Sequence, residues 1–211
     1  MIKHFIPVVG HFDILARALD SVRCLHRRII LIDNSPDGLP VDLTTGLQVV
    51  RPHVPLDHHQ SKNLMFKLAA RDDIFTWQHS DAVALEDTAV RFEQITNEFA
   101  KRGAENWAKV HCNYDRFCVY NMLAVRAVGD YDIFFPNRIY HSDCDWNYRA
   151  KLAGFTFINY DLPIDHVNGG SNTIKLPKYK LIQELTFIMN VEYYKAKWGG
   201  MPEVYKTPFN Q

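Results

Sequence analysis

Net charge is the first thing missing: lysine and arginine number 24 and so do aspartate and glutamate, so no overall field draws the chain to nucleic acid or to an anionic membrane. Long apolar runs are missing as well, and none approaches the roughly 18 residues that cross a bilayer. Residues 1–16 are interrupted by Lys3, His4, His11 and Asp13, which a secretory signal does not tolerate. The expectation is a soluble, cytoplasmic protein without a transmembrane segment. Cysteine is sparse, with Cys24, Cys112, Cys118 and Cys144 in no CxxC spacing, so a disulfide-stapled scaffold is excluded and the four read as buried thiols. No internal repeat, low-complexity tract or linker interrupts the chain.

What is present suits an ordinary globular domain. Hydrophobic residues make up 47% of 211 residues and charged residues 23%, enough to bury a sizeable core, and the length excludes a second catalytic module. Residues 3–9 and 28–32 read as strands without alternation, flanking a helix over 13–25 with Ile14, Leu15, Ala18, Leu19, Val22 and Leu25 at helical spacing. Further strands are expected at 48–51, 73–78 and 109–113. Helices are expected after an N-cap at Ser61 and over 87–101. Non-alternating strands separated by amphipathic helices require a parallel sheet covered on both faces. The second half reads as a strand over 117–125, a helix over 143–152 stopped by Gly154, a strand over 155–160, a Gly- and Asn-rich loop over 165–172 and a long helix over 179–198. That last helix carries Leu181, Ile182, Leu185, Ile188, Met189 and Val191, an apolar surface wide enough to be buried on more than one side, which admits a homo-oligomer.

Three loops concentrate acidic and histidine residues: 33–37, 79–81 and 141–145, with His166 as a fourth element. Each follows a strand or opens a helix, where side chains converge at one edge of an open α/β sheet. A diphosphate leaving group needs Mg²⁺ or Mn²⁺ held by few carboxylates, and strand-end Asp81 fits that role. A helix N-terminus keeps Asp143 ionised, as a base requires. The simpler reading of either aspartate is a helix cap. Lys62 is placed to reach a phosphate, although a lysine at a helix start is usually just exposed. His58 and His59 read as solvated, and Trp77, Tyr193, Tyr194 and Trp198 as packing residues.

The order of these elements resembles the nucleotide-sugar-dependent glycosyltransferases of the GT-A fold, particularly the compact, inverting, family-2-like enzymes of bacterial and phage type. The residues that carry the resemblance are Ile6-Pro7-Val8-Val9, Ile32-Asp33-Asn34-Ser35-Pro36-Asp37-Gly38, Ser61-Lys62-Asn63, His79-Ser80-Asp81, Gly129-Asp130-Tyr131-Asp132, Ser142-Asp143-Cys144-Asp145 with Arg149 and Ala153-Gly154-Phe155, Asp165-His166, and Lys197-Trp198-Gly199-Gly200. His79 stands where the family has the first Asp of its Asp-x-Asp motif, and Ser142 where it has a glutamate.

The resemblance implies one α/β domain over 1–211 with a mostly parallel, Rossmann-like sheet. Residues 1–105 are expected to bind nucleotide sugar, 106–177 to form the acceptor side, and 178–211 to add a helix and tail. It implies Pro7, Val8, Asp33, Asn34, Ser35, Lys62, Asn63, His79 and Ser80 around the nucleotide sugar, and Asp81 with His166 on a Mn²⁺ or Mg²⁺ ion. Asp143 is implied as general base, and Asp145, Trp146 and Arg149 as acceptor contacts. The activity implied is transfer of a sugar, with UDP the commonest carrier in that family, to a saccharide, a glycoconjugate or a hydroxylated base in phage DNA. A nucleotidyltransferase is the nearest enzymatic rival, but residues 8–17 hold only Gly10 of the glycine-rich phosphate loop it needs. A catalytically silent sugar-nucleotide-binding protein is the rival of another class.

Overall fold

The structure, a computed structural model, describes residues 1–103, 105–136, 140–170 and 172–204. Lys206, expected to interleave with aromatic rings near the C-terminus, lies outside the described residues, as does Ser171 of the glycine-rich loop. The elements run β1 (His4–Val8), α1 (Phe12–Ser21), β2 (Ile29–Asp33), α2 (Val41–Thr44), β3 (Gln48–Val50), α3 (His58–Leu68), β4 (Ile74–Gln78), β5 (Ala82–Ala84), α4 (Thr88–Arg102), β6 (Trp107–Cys112) and β7 (Phe117–Asn121). After these come α5 (Met122–Val128), α6 (Ser142–Leu152), β8 (Thr156–Tyr160), β9 (Ile164–His166), α7 (Asn172–Lys175) and α8 (Pro177–Trp198).

Seven strands form one sheet in the order β3-β2-β1-β4-β7-β6-β8, mostly parallel, with β7 alone running against its two neighbours. The chain leaves β1 to one side through β2 and β3 and returns to its other side as β4. This reversal opens a crevice at the carboxyl ends of β1 and β4, where open α/β sheets bind ligands. Strand residues alternate between two cores, which is why these strands read as unbroken apolar runs. Phe5, Ile30, Ile32, Phe75 and Trp77 join one core with Met65, Phe66, Tyr131 and Trp146. Ile6, Val8 and Leu31 join the other with Leu15, Leu19, Phe92 and Phe99. Each such side chain contributes about 1.5–3 kcal/mol on burial, so the central strands are fixed from both faces.

Three element boundaries depart from the sequence reading. Helix α3 begins at His58, not after Ser61, because the Asp57 side chain accepts from Gln60 N and the Gln60 side chain accepts from Asp57 N. This capping box moves Ser61, Lys62 and Asn63 into the helix body, on its buried face, and places His59 in the interior rather than in solvent. The strand expected over 117–125 stops at Asn121, whose side chain accepts from Leu123 N and caps α5. Helix α8 buries Asn190, Tyr194 and Trp198 of its second half, while Leu181, Ile182, Leu185, Ile188 and Met189 stay exposed. Cys24 is exposed and Cys144 half-buried; Cys112 and Cys118 are buried as expected. No helix among the described residues is long and apolar enough to cross a membrane.

Candidate active site

Strand β4 ends at Gln78, and His79, Ser80 and Asp81 form the loop that leads into β5. The two-stranded β5–β9 sheet pairs Ala82 with His166 and bonds Val167 N to Asp81 O at 3.0 Å, which brings a residue 85 positions away onto the aspartate. His166 Nε2 lies 2.9 Å from Asp81 Oδ1, and His79 Nδ1 lies 3.9 Å from the same oxygen. One donor atom from each of His79, Asp81 and His166 falls within 4.8 Å of the others, the spacing of ligands around a single cation. Asn172 donates its side-chain amide to Asp81 Oδ2 at 2.8 Å, leaving Oδ1 to face the histidines. Burial by itself would raise the Asp81 carboxyl, but the hydrogen bond from His166, the charge of His79 and the bond from Asn172 hold it well below the usual range. It is therefore ionised, as a ligand must be.

Gly170 shapes this cradle. A Cβ there would meet His166 Cε1 at 2.2 Å, and its φ of +73° is left-handed, so glycine is what lets the imidazole lie against the backbone. Two imidazoles and a buried carboxylate with a fixed second oxygen fit a divalent cation.

A second cluster adjoins the first. Lys62 on α3 is almost wholly buried, 1% exposed, between the rings of Trp77 and Tyr131, with Nζ 4.7 Å and 4.9 Å from their centroids. Its ammonium lies 2.6 Å from Asp143 Oδ1 in the first turn of α6 and 3.9 Å from Asp115 Oδ2. Burial would lower this ammonium, yet Asp143, Tyr131 and Asp115 together raise its pKa. Burial raises Asp143 in turn, but Lys62 with His58 and Lys109 brings the carboxyl down to about 2. Asp115 joins the two clusters, its Oδ1 3.4 Å from His79 Nε2. His58, Asp115 and Asp143 also offer atoms within 4.8 Å of one another, with the Lys62 ammonium beside both carboxylates.

Asp115, His58 and the ligand geometry of His79 were not reached by sequence reasoning. The available signal for Asp115 was the turn between two expected strands, which a hairpin would carry to the edge where β4 ends.

At the edge expected to meet the nucleotide, Asp33 ends β2 with its Oδ1 accepting from Ser35 N at 2.9 Å and its Oδ2 3.3 Å from Arg51. The side chains of Asn34 and Asn63 are engaged internally: Asn34 donates to Ser61 Oγ and accepts from Leu56 N, and Asn63 bonds Tyr131 through both O and N. Ser35 Oγ accepts from Gly10 N, tying the β1 and β2 exits together, and Asn34 N bonds Val8 O. Pro7 and Val8 lie on β1, Pro7 half-buried and Val8 buried, and Ser80 is half-buried between His79 and Asp81.

The expected acceptor contacts turn out differently. Trp146 is 0% exposed, stacked on Tyr131 at 5.7 Å with its Nε1 donating to Gly129 O, so it is a core residue. Asp145 is equally buried and receives Arg149 Nε, Trp198 Nε1 and Lys197 Nζ at 3.0, 2.9 and 2.8 Å. Arg149 also donates to the carbonyls of Val128 and Asp130. These three fasten α6 to α8 and to the preceding turn rather than lining a cleft; an i, i+4 Asp–Arg pair beside a tryptophan looks the same in sequence either way.

No family model and no curated relative matches the sequence. Solved structures do match the fold. A mannosyltransferase from Pyrobaculum calidifontis, in complex with GDP-mannose and Mn²⁺, superposes with a TM-score of 0.65 at 10% identity, covering 95% of this chain and 66% of its own. GalNAc-T7 with UDP, GalNAc and Mn²⁺ gives 0.52 at 12% identity over 93% of this chain and 51% of its own. The chain adopts the GT-A fold. It spans about two thirds of the mannosyltransferase and half of GalNAc-T7. A cytidylyltransferase from Leptospira borgpetersenii shares the architecture too, with a TM-score of 0.53 at 12% identity over 92% of this chain and 94% of its own. The GT-A sheet thus has transferases of two chemistries around it.

Proposed function

We propose that this protein is a divalent-metal-dependent glycosyltransferase that moves a sugar from a nucleoside-diphosphate sugar, UDP-linked in the simplest case, to an acceptor hydroxyl with inversion. The observation that carries the reading is the His79–Asp81–His166 donor set at the end of β4, in the crevice of a GT-A sheet. A cation bound there supplies Lewis acidity to the departing diphosphate. Asp33, with Arg51 beside it, faces the nucleoside from the end of β2. Lys62 and Asp143 divide the remaining work. As paired, Asp143 is a poor base, because Lys62 stabilises its charge. An incoming diphosphate gives the Lys62 ammonium a second anionic partner, which frees Asp143 to take the proton of the attacking hydroxyl. The acceptor class is a saccharide, a glycoconjugate or a hydroxylated DNA base.

The nucleotidyltransferase reading is favoured by one observation, the nearly full-length match to the cytidylyltransferase. Against it, the β1 exit carries a single glycine, Gly10, whose N–H is occupied by Ser35. Purified protein incubated with a panel of nucleotide sugars and Mn²⁺ is expected to release nucleoside diphosphate slowly even without acceptor, and Asp81→Asn to abolish release. Pyrophosphate formation from a nucleoside triphosphate and a sugar phosphate would replace this reading with nucleotidyl transfer. Donor binding without turnover of either kind would replace it with a silent binding protein.

A further inference from the structure

His79 shows opposite ring nitrogens to opposite carboxylates. Nδ1 points to Asp81 Oδ1 at 3.9 Å, on the side of His166, and Nε2 points to Asp115 Oδ1 at 3.4 Å. Nε2 is shielded from solvent and makes no full hydrogen bond, and the Asp115 carboxylate at 3.4 Å is the acceptor within its reach. An imidazole ligates a cation only through an unprotonated nitrogen, and which nitrogen that is depends on the hydrogen bond the other one makes.

Asp115 is itself rigidly placed. It sits in the turn between β6 and β7, where Asn113 and Tyr114 take positive φ values of 48° and 62°. Asn113 Oδ1 accepts from Leu162 N at 3.0 Å, Asn113 N donates to Tyr160 O at 3.1 Å, and Arg116 donates to Ile164 O. Arg116 O accepts from His79 N at 3.0 Å. The turn is therefore bolted on one side to the loop carrying His79 and on the other to the segment that leads into His166.

We propose that Asp115 is the positioning residue of the cation centre: it accepts the Nε2 proton of His79 and so turns an unprotonated Nδ1 toward Asp81 and His166, making His79 the third protein ligand. The proposal rests on the reading that the triad holds a divalent cation. With two imidazoles and one carboxylate the site prefers Mn²⁺, Co²⁺ or Zn²⁺ to Mg²⁺, which demands oxygen ligands. Because the carboxylate also faces Lys62, one residue links the cation half of the site to the Lys62–Asp143 half.

The test is Mn²⁺ binding to the full chain without nucleotide, read from the electron paramagnetic resonance signal of free Mn²⁺, together with ¹⁵N chemical shifts of His79 in the metal-free protein. Asp115→Asn is expected to weaken Mn²⁺ binding about 10- to 100-fold and to move His79 away from the Nε2–H tautomer. Asp115→Glu, which keeps the charged carboxylate acceptor that asparagine lacks, recovers most of the affinity. In a His79→Ala background Asp115→Asn costs nothing further. Unchanged affinity and tautomer in Asp115→Asn, or losses that simply add in the double variant, overturn the proposal. Wild-type protein that binds no divalent cation overturns the ligand role of His79 together with the metal-dependent reading, and the tautomer measurement then shows whether the Asp115–His79 hydrogen bond itself forms. Circular dichroism of each variant separates loss of the site from loss of the fold.

Discussion

Lys62 is a full positive charge in the interior, and Asp143 is the group that makes this tolerable. Breaking a buried pair by removing one partner typically costs about 3–5 kcal/mol because the survivor is left uncompensated. Here Asp115, 3.9 Å from the ammonium, offsets part of that cost. The pair also sets basicity. Asp143 is held at about 2 against an ordinary value near 3.9, so Lys62→Met should move it upward. The acidic limb of the pH–rate profile of sugar transfer is then expected to shift to higher pH, and an unshifted limb would remove Asp143 from the role of base. Asp143→Asn should lower kcat by about 10²- to 10⁴-fold while nucleotide-sugar binding persists.

At the scale of elements, the β5–β9 pair converts sequence distance into a site. Its register sets His166 opposite Ala82, one residue past Asp81, and Gly170 leaves room for the imidazole. Gly170→Ala is expected to displace His166 and weaken Mn²⁺ binding at least tenfold, whereas Gly169→Ala is not. Both glycines have positive φ, +73° and +72°, and Gly170, with ψ −173°, lies in a region essentially reserved for glycine, so its substitution also carries the larger backbone strain. Only Gly170 has an atom in the way, since nothing lies within 4 Å of a Cβ at Gly169. Equal Mn²⁺ affinities in the two variants would show that Gly170 is not what seats His166 against Asp81. The other element that matters is α8, whose second half is fastened by Lys197 to Asp132 and Asp145 and by Trp198 to Asp145. Its hold on α6 keeps the helix that carries Asp143 in place.

For the molecule as a whole, buried neutral histidines tie stability to pH. His4 is 0% exposed between Thr76 Oγ1 and Gln78 Oε1, and burial lowers its pKa to about 4 although the hydrogen bond to Gln78 acts the other way. His111 is lowered to about 3, first by burial and then by Lys109. Unfolded histidine titrates near 6.5. Between the folded and unfolded values the unfolded chain binds more protons, so the stabilisation is complete above about pH 6.5 and is lost as the pH falls toward 4. The full slope is about 1.4 kcal/mol per pH unit for each group. His4→Gln is expected to reduce the pH dependence of the urea-unfolding free energy between pH 6 and 4.5 by close to one proton. An unchanged slope would mean that His4 is already protonated in the fold.

Much of the architecture was legible in the chain. Two-sided apolar runs such as 29–32 mark strands covered on both faces, and polar residues at the ends of 29–33 and 74–78 mark the edge at which ligands bind. Asp81 was readable at a strand end, whereas its pairing with His166 was implied only by the family resemblance, because 165–172 read as a loop and the strand Ile164–His166 was not expected. What the sequence left open depends on contacts between distant segments. The histidine at position 79 reads as a nucleotide contact, and its place beside Asp81 and Asp115 emerges only when β7 pairs antiparallel with β4. Asp145, Trp146 and Arg149 read as a binding motif, yet packing engages all three internally: Asp145 with Lys197 and Trp198 of α8, Trp146 with Tyr131 and Gly129 O, and Arg149 with the carbonyls of Val128 and Asp130. Local propensity and periodicity determine elements and their faces, whereas the ionisation of Asp143, the tautomer of His79 and the inward turn of Trp146 are set by neighbours tens of residues away, and only the tertiary structure brings those neighbours within a few ångströms.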